Sequence, residues 1–114
     1  MIDVTMIILS IAAIGGFYLA SQKLQEKKIP SVYAIAHGSL GAVGVVMLAP
    51  VVTNGGRSEI SLALWVLAAT LFGGLAIAAL HMTRRKAPSL LIVAHGTAGM
   101  LGVFILASLA YSTN

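Results

Sequence analysis

The amino-acid sequence predicts an all-α membrane protein: a four-transmembrane-helix up-down-up-down bundle made of two parallel two-helix repeats, 1–56 and 59–114. Three observations carry this expectation. The chain is 59% hydrophobic and only 9% charged, outside the range of soluble domains. Four apolar runs of about twenty residues, each long enough to cross a hydrocarbon core of about 30 Å, are separated by short polar segments. The stretch Ala36-His37-Gly38-Ser39-Leu40-Gly41-Ala42-Val43-Gly44-Val45 returns 58 residues later as Ala94-His95-Gly96-Thr97-Ala98-Gly99-Met100-Leu101-Gly102-Val103. Laid over each other without a gap, residues 1–56 and 59–114 share 16 identical pairs, among them Gly15/Gly73, Gly16/Gly74, Lys28/Lys86 and Pro30/Pro88.

The first helix is expected over residues 4–22. Its leader, Met1-Ile2-Asp3, is acidic where a cleaved signal peptide would be basic, so the run reads as a retained helix. The segment Gln22-Lys23-Leu24-Gln25-Glu26-Lys27-Lys28 is a basic loop, and Pro30 opens a second helix over residues 30–52, at a position where a missing N–H costs nothing. Thr53-Asn54-Gly55-Gly56-Arg57-Ser58-Glu59 is a turn of nearly balanced charge. A third helix is expected over 60–82, a second basic loop at Thr83-Arg84-Arg85-Lys86-Ala87, and a fourth helix over 88–111 behind Pro88.

Six of the seven basic residues fall in the two loops 23–29 and 83–87, so the net charge of +4 speaks for topology rather than for a nucleic-acid partner. The positive-inside rule places both loops in the cytoplasm and both termini outside, which in a bacterial inner membrane is the periplasm. The chain is then one integral membrane domain, with the lipid bilayer as its first partner. Repeats with an even number of helices are parallel, related by an axis along the membrane normal.

Histidine inside a membrane helix is costly and is read as functional when a partner can be named. His37 and His95 are each other's partner: each lies seven residues after its proline, about 10 Å along the helix from the basic end. In a bundle of sequential neighbours their helices are diagonal, about 11–14 Å apart, which two imidazoles span through a metal and not by a direct hydrogen bond. Gly41 and Gly44 share the face of His37, and Gly99 and Gly102 that of His95. Gly15, Gly16, Gly73 and Gly74 thin the other two helices at a similar depth. A flat macrocycle standing along the membrane normal needs such a slot, with an axial ligand on each face. The expected cofactor is one haem b per chain, with His37 and His95 as metal ligands and the eight glycines around it. The alternatives are another tetrapyrrole such as chlorophyll, or a histidine pair that serves packing or proton relay, since glycine-rich faces are also how membrane helices approach closely.

Other residues carry lesser expectations. Lys23, Lys27, Arg84 and Arg85 stand where they could pair with haem propionates, although fixing topology and meeting anionic lipid would explain them alone. His81, aligned with Lys23, reads as a solvated helix end. Trp65 and Tyr111 fit one interfacial belt and Tyr33 the other, and Phe17 and Tyr18 adjoin Gly16 near a cofactor edge. The five methionines match nothing in the other repeat, and cysteine is absent. The only acidic residues, Asp3, Glu26 and Glu59, lie at a terminus or in loops. The chain is similar in length and helix number to the small multidrug resistance transporters, but no counterpart of their membrane-embedded glutamate is present. The paired histidines and their glycines resemble the bis-histidine membrane cytochromes b in general design. That resemblance implies one-electron transfer, as a small cytochrome or as a haem-bearing anchor subunit that meets quinone or larger redox-complex subunits. A cofactor-free assembly subunit and a small histidine-dependent transporter are the rival functions.

Overall fold

A computed structural model describes residues 2–55 and 58–112, with side-chain surroundings for residues 3–55 and 58–109. It is all-helical: α1 (Ile2–Leu24), α2 (Ser31–Thr53), α3 (Ser58–Met82) and α4 (Ser89–Ser112). Every boundary lies within two residues of the expected one. Each helix contains a stretch of at least 21 residues long and apolar enough to span a membrane. The molecule is 44 Å long, enough for the hydrocarbon core and both headgroup layers. These features mark an integral membrane protein.

Pro30 caps α2 from just outside, with φ −57° and ψ 136°, and α4 likewise begins one residue after Pro88. In that place the ring withholds no hydrogen bond. At the other side of each basic loop, α1 and α3 end alike. The Lys27 N–H donates to the Gln22 carbonyl and the Glu26 N–H to Lys23, while Arg85 donates to Leu80 and Arg84 to His81. These are paired Schellman closures, which normally place glycine in the left-handed conformation. Here Glu26 (φ 59°) and Arg84 (φ 58°) adopt it, so neither helix end carries the glycine that would announce it in the sequence.

Among the described residues α1 packs against α2 and α4, and α3 against α2 and α4. The start of α1, the end of α2, the start of α3 and the end of α4 meet in one apolar core of Leu9, Leu48, Ile60, Ala63, Leu67 and Leu106. Two glycines admit it: a Cβ on Gly44 would lie 2.4 Å from Leu9 Cδ2, and one on Gly102 would lie 2.6 Å from Leu67 Cδ2. Close approach at small residues is how helices associate where lipid is as apolar as the interface. Helix hydroxyls satisfy themselves locally, as Thr70 does on the Val66 carbonyl (2.8 Å) and Ser108 on Phe104 (2.9 Å). At the opposite, basic end the loops are joined by an ion pair between Lys86 and Glu26.

Candidate functional site

The two membrane histidines meet in the middle of the bundle. His37 on α2 and His95 on α4 are part-buried, their ring centroids 6.1 Å apart and their planes at 85°. Each ring is held by a neighbouring helix. His37 Nδ1 lies 2.8 Å from the Ala12 carbonyl on α1, and His95 Nδ1 lies 2.9 Å from the Thr70 carbonyl on α3. A carbonyl oxygen only accepts, so in each pair Nδ1 carries the proton and donates. In a neutral ring so held, the lone pair is on Nε2. An Nδ1–H tied to a backbone carbonyl is the usual support of a histidine that ligates through its other nitrogen, fixing tautomer and ring direction together.

Gly16 and Gly74 make these bonds possible. Each stands one turn beyond its carbonyl, and a Cβ there would meet the imidazole Cε1, at 2.6 Å from His37 and 2.9 Å from His95. Any side chain at position 16 or 74 would push the ring off the carbonyl. A Cβ on Gly73 would make ordinary contact with His95, at 3.6 Å, and one on Gly99 would lie 3.2 Å from the Thr70 methyl, whereas one on Gly41 or Gly15 would meet nothing within 4 Å. Gly44 and Gly102 line the leucine core instead of the histidines. The eight glycines therefore divide: three touch the rings, three others serve packing within the bundle, and two border open space.

Phe17 and Tyr18 are turned outward, 70% and 53% exposed, as are Trp65 and Tyr33. The side chain of Tyr111 lies outside the described residues. His81 is exposed at the end of α3.

A cavity of about 590 Å³ opens at the basic end, beyond the histidines. It is lined by Lys23, Lys27, Lys28 and Lys86 with Glu26 and His81, and by the apolar Leu24, Ile29, Ala87 and Ile92. Ser31 and Ser89, the first residues of α2 and α4, complete it. Arg84 and Arg85 stay outside the wall. The Lys86 ammonium, by hydrogen bond and by charge, holds the Glu26 carboxyl below its ordinary value.

Two imidazoles on opposite sides of one metal, with each nitrogen about 2 Å from it, have ring centres about 6 Å apart. The ring centroids of His37 and His95 stand at a separation of that size, 6.1 Å. Among the described residues no three His, Cys, Asp or Glu side chains converge to hold a metal ion. Two axial nitrogens suit a metal whose other four ligands come from a macrocycle. By donor chemistry alone, two imidazoles are a pair that a haem iron would accept.

Sequence reasoning named the histidines and their glycines but not the Ala12 and Thr70 carbonyls. Backbone acceptors have no side-chain signature. The available signal was Gly16 and Gly74 recurring one turn beyond positions 12 and 70. Compared with known proteins, the chain matches no family model, no curated protein and no solved structure.

Proposed function

We propose that this chain is a membrane b-type cytochrome that binds one haem b between His37 and His95. It acts in one-electron transfer, as a small cytochrome or as a haem-bearing anchor subunit of a redox complex. The observation that carries this reading is the pair of Nδ1-anchored imidazoles 6.1 Å apart, each with Nε2 free to ligate. When bound, the haem supplies a reversible one-electron couple; the chain's own part is to hold two neutral imidazoles in fixed tautomers and to exclude water. The protein is in this reading an electron carrier rather than a stand-alone enzyme, with quinone or larger redox subunits as exchange partners.

The same reading takes the chain as a duplicated two-helix unit in up-down-up-down order. Support comes from contacts that recur 58 residues apart: His37 to Ala12 and His95 to Thr70, Gly44 to Leu9 and Gly102 to Leu67. Along each pair, rising numbers on one helix meet falling numbers on the next. The charge of loops 23–29 and 83–87 orients them to the cytoplasm and the termini to the periplasm of a bacterial inner membrane. With the histidines in the half nearer the basic loops, electrons exchange at that face or laterally.

Reduced-minus-oxidised absorption spectra of the wild type and of His37→Ala and His95→Ala test the reading. The wild type should give a sharp α-band at one haem per chain, and each variant should lose bis-histidine ligation. Loss of complex assembly with no band in any form would favour the cofactor-free scaffold. Loss of a pH-dependent flux without a band would favour the transporter.

A further inference from the structure

We propose that the cavity at the basic end seats the carboxylates of the tetrapyrrole, so that Lys23, Lys27 and Lys28 set the direction in which it lies in the bundle. This deepens the haem reading and rests on it. Position is the first support. Ser31 and Ser89, in the cavity wall, precede His37 and His95 by six residues, about 9 Å along the helix. Ile92, in the same wall, is one turn from His95. A macrocycle ligated by the two imidazoles, with its propionates toward this end, would have Lys23, Lys27 and Lys28 on the side its carboxylates approach.

Charge is the second support. Glu26 is the only carboxylate in the wall and is already bound to Lys86, so Lys23, Lys27 and Lys28 face the cavity with no acid in the wall left to answer them. The third is the state of the opposite end. There Leu48 and Leu106 are wholly buried and Leu9 and Leu67 nearly so. A carboxylate directed that way would meet this apolar packing and lose its water. Ile29, Ala87 and Ile92 add apolar lining that suits the ring edge carrying the carboxylates. Arg84 and Arg85, outside the wall, take no part.

The test compares haemin with haemin dimethyl ester, which keeps the iron and the ring but lacks both negative charges. Each is titrated into the haem-free protein in neutral detergent at low salt, and the Soret shift is read. Wild type should bind the diacid about tenfold more tightly than the ester, as two partly exposed ion pairs allow. The combined Lys23→Gln, Lys27→Gln and Lys28→Gln variant should bring that preference close to one, and Arg84→Gln should leave it unchanged. Equal affinity of wild type for acid and ester, with a normal Soret shift from both, overturns the orientation while the haem site stands. No shift from either ligand overturns both. Because the decisive comparison is made on wild-type protein, it does not depend on whether the lysine variant folds.

Discussion

The two ends of this bundle use the same small residue for opposite purposes. Away from the basic loops, Gly44 and Gly102 let Leu9 and Leu67 close against α2 and α4 in a largely apolar core. Toward the basic loops, Gly16 and Gly74 admit imidazoles rather than leucines. Around them Gly15, Gly38, Gly41 and Gly96 have no neighbour within 4 Å of where a side chain would begin. One half is packed to hold the helices together, and the other brings two imidazoles onto backbone carbonyls.

Exchanging small residues for larger ones separates the two ends. The largest expected effect is at Gly16. A Cβ there displaces the His37 ring from the Ala12 carbonyl, and loss of an orienting partner of a ligating histidine typically lowers metal affinity about 10- to 100-fold. Gly16→Ala should therefore weaken haem binding by that order in a titration while the helix content by circular dichroism holds. Gly41→Ala, with open space before it, should leave the affinity within about twofold. Equal behaviour of the two variants would mean that the bond to Ala12 does no orienting.

Leu48→Ala and Leu106→Ala should do the reverse. Each removes a wholly buried side chain from the distal core. The cost in a soluble core is about 2–5 kcal/mol, and here the transfer part is absent, so about 1–2 kcal/mol from lost packing is expected. Thermal unfolding in detergent measures it, and the haem spectrum should not change. The smallest effect belongs to the exposed Glu26–Lys86 pair between the loops. Its carboxyl is held below its ordinary value in the folded protein. The pair's contribution is therefore present above the carboxyl's unfolded value and is lost as pH falls through the folded one. The small difference in melting temperature between wild type and Glu26→Gln should be seen at neutral pH and vanish in strong acid.

The contrast between the ends was only partly legible in the sequence. Apolar run length defined the helices, since a membrane leaves the backbone no other economical state. The doubled Ala-His-Gly stretch brought His37 and His95 forward as a pair. The glycines, by contrast, share one pattern while their neighbours differ. Gly44 and Gly16 look alike until the side chain opposite is known, and that is a property of the facing helix. The Schellman ends at Glu26 and Arg84 were hidden because residues that disfavour the left-handed conformation occupy it. The cavity was hidden because basic loops are common at one membrane face whether or not they enclose space.

The most direct measurement of the central claim is the low-temperature electron paramagnetic resonance spectrum of the purified, oxidised protein. If both imidazoles ligated a ferric iron with their planes crossed near 85°, they would act almost equally on its two π orbitals and leave them nearly degenerate. The account predicts a low-spin ferric signal with large g anisotropy, lost in His37→Ala and in His95→Ala. A folded protein that shows no low-spin ferric signal after exposure to haemin, or one whose signal survives both substitutions, would contradict it.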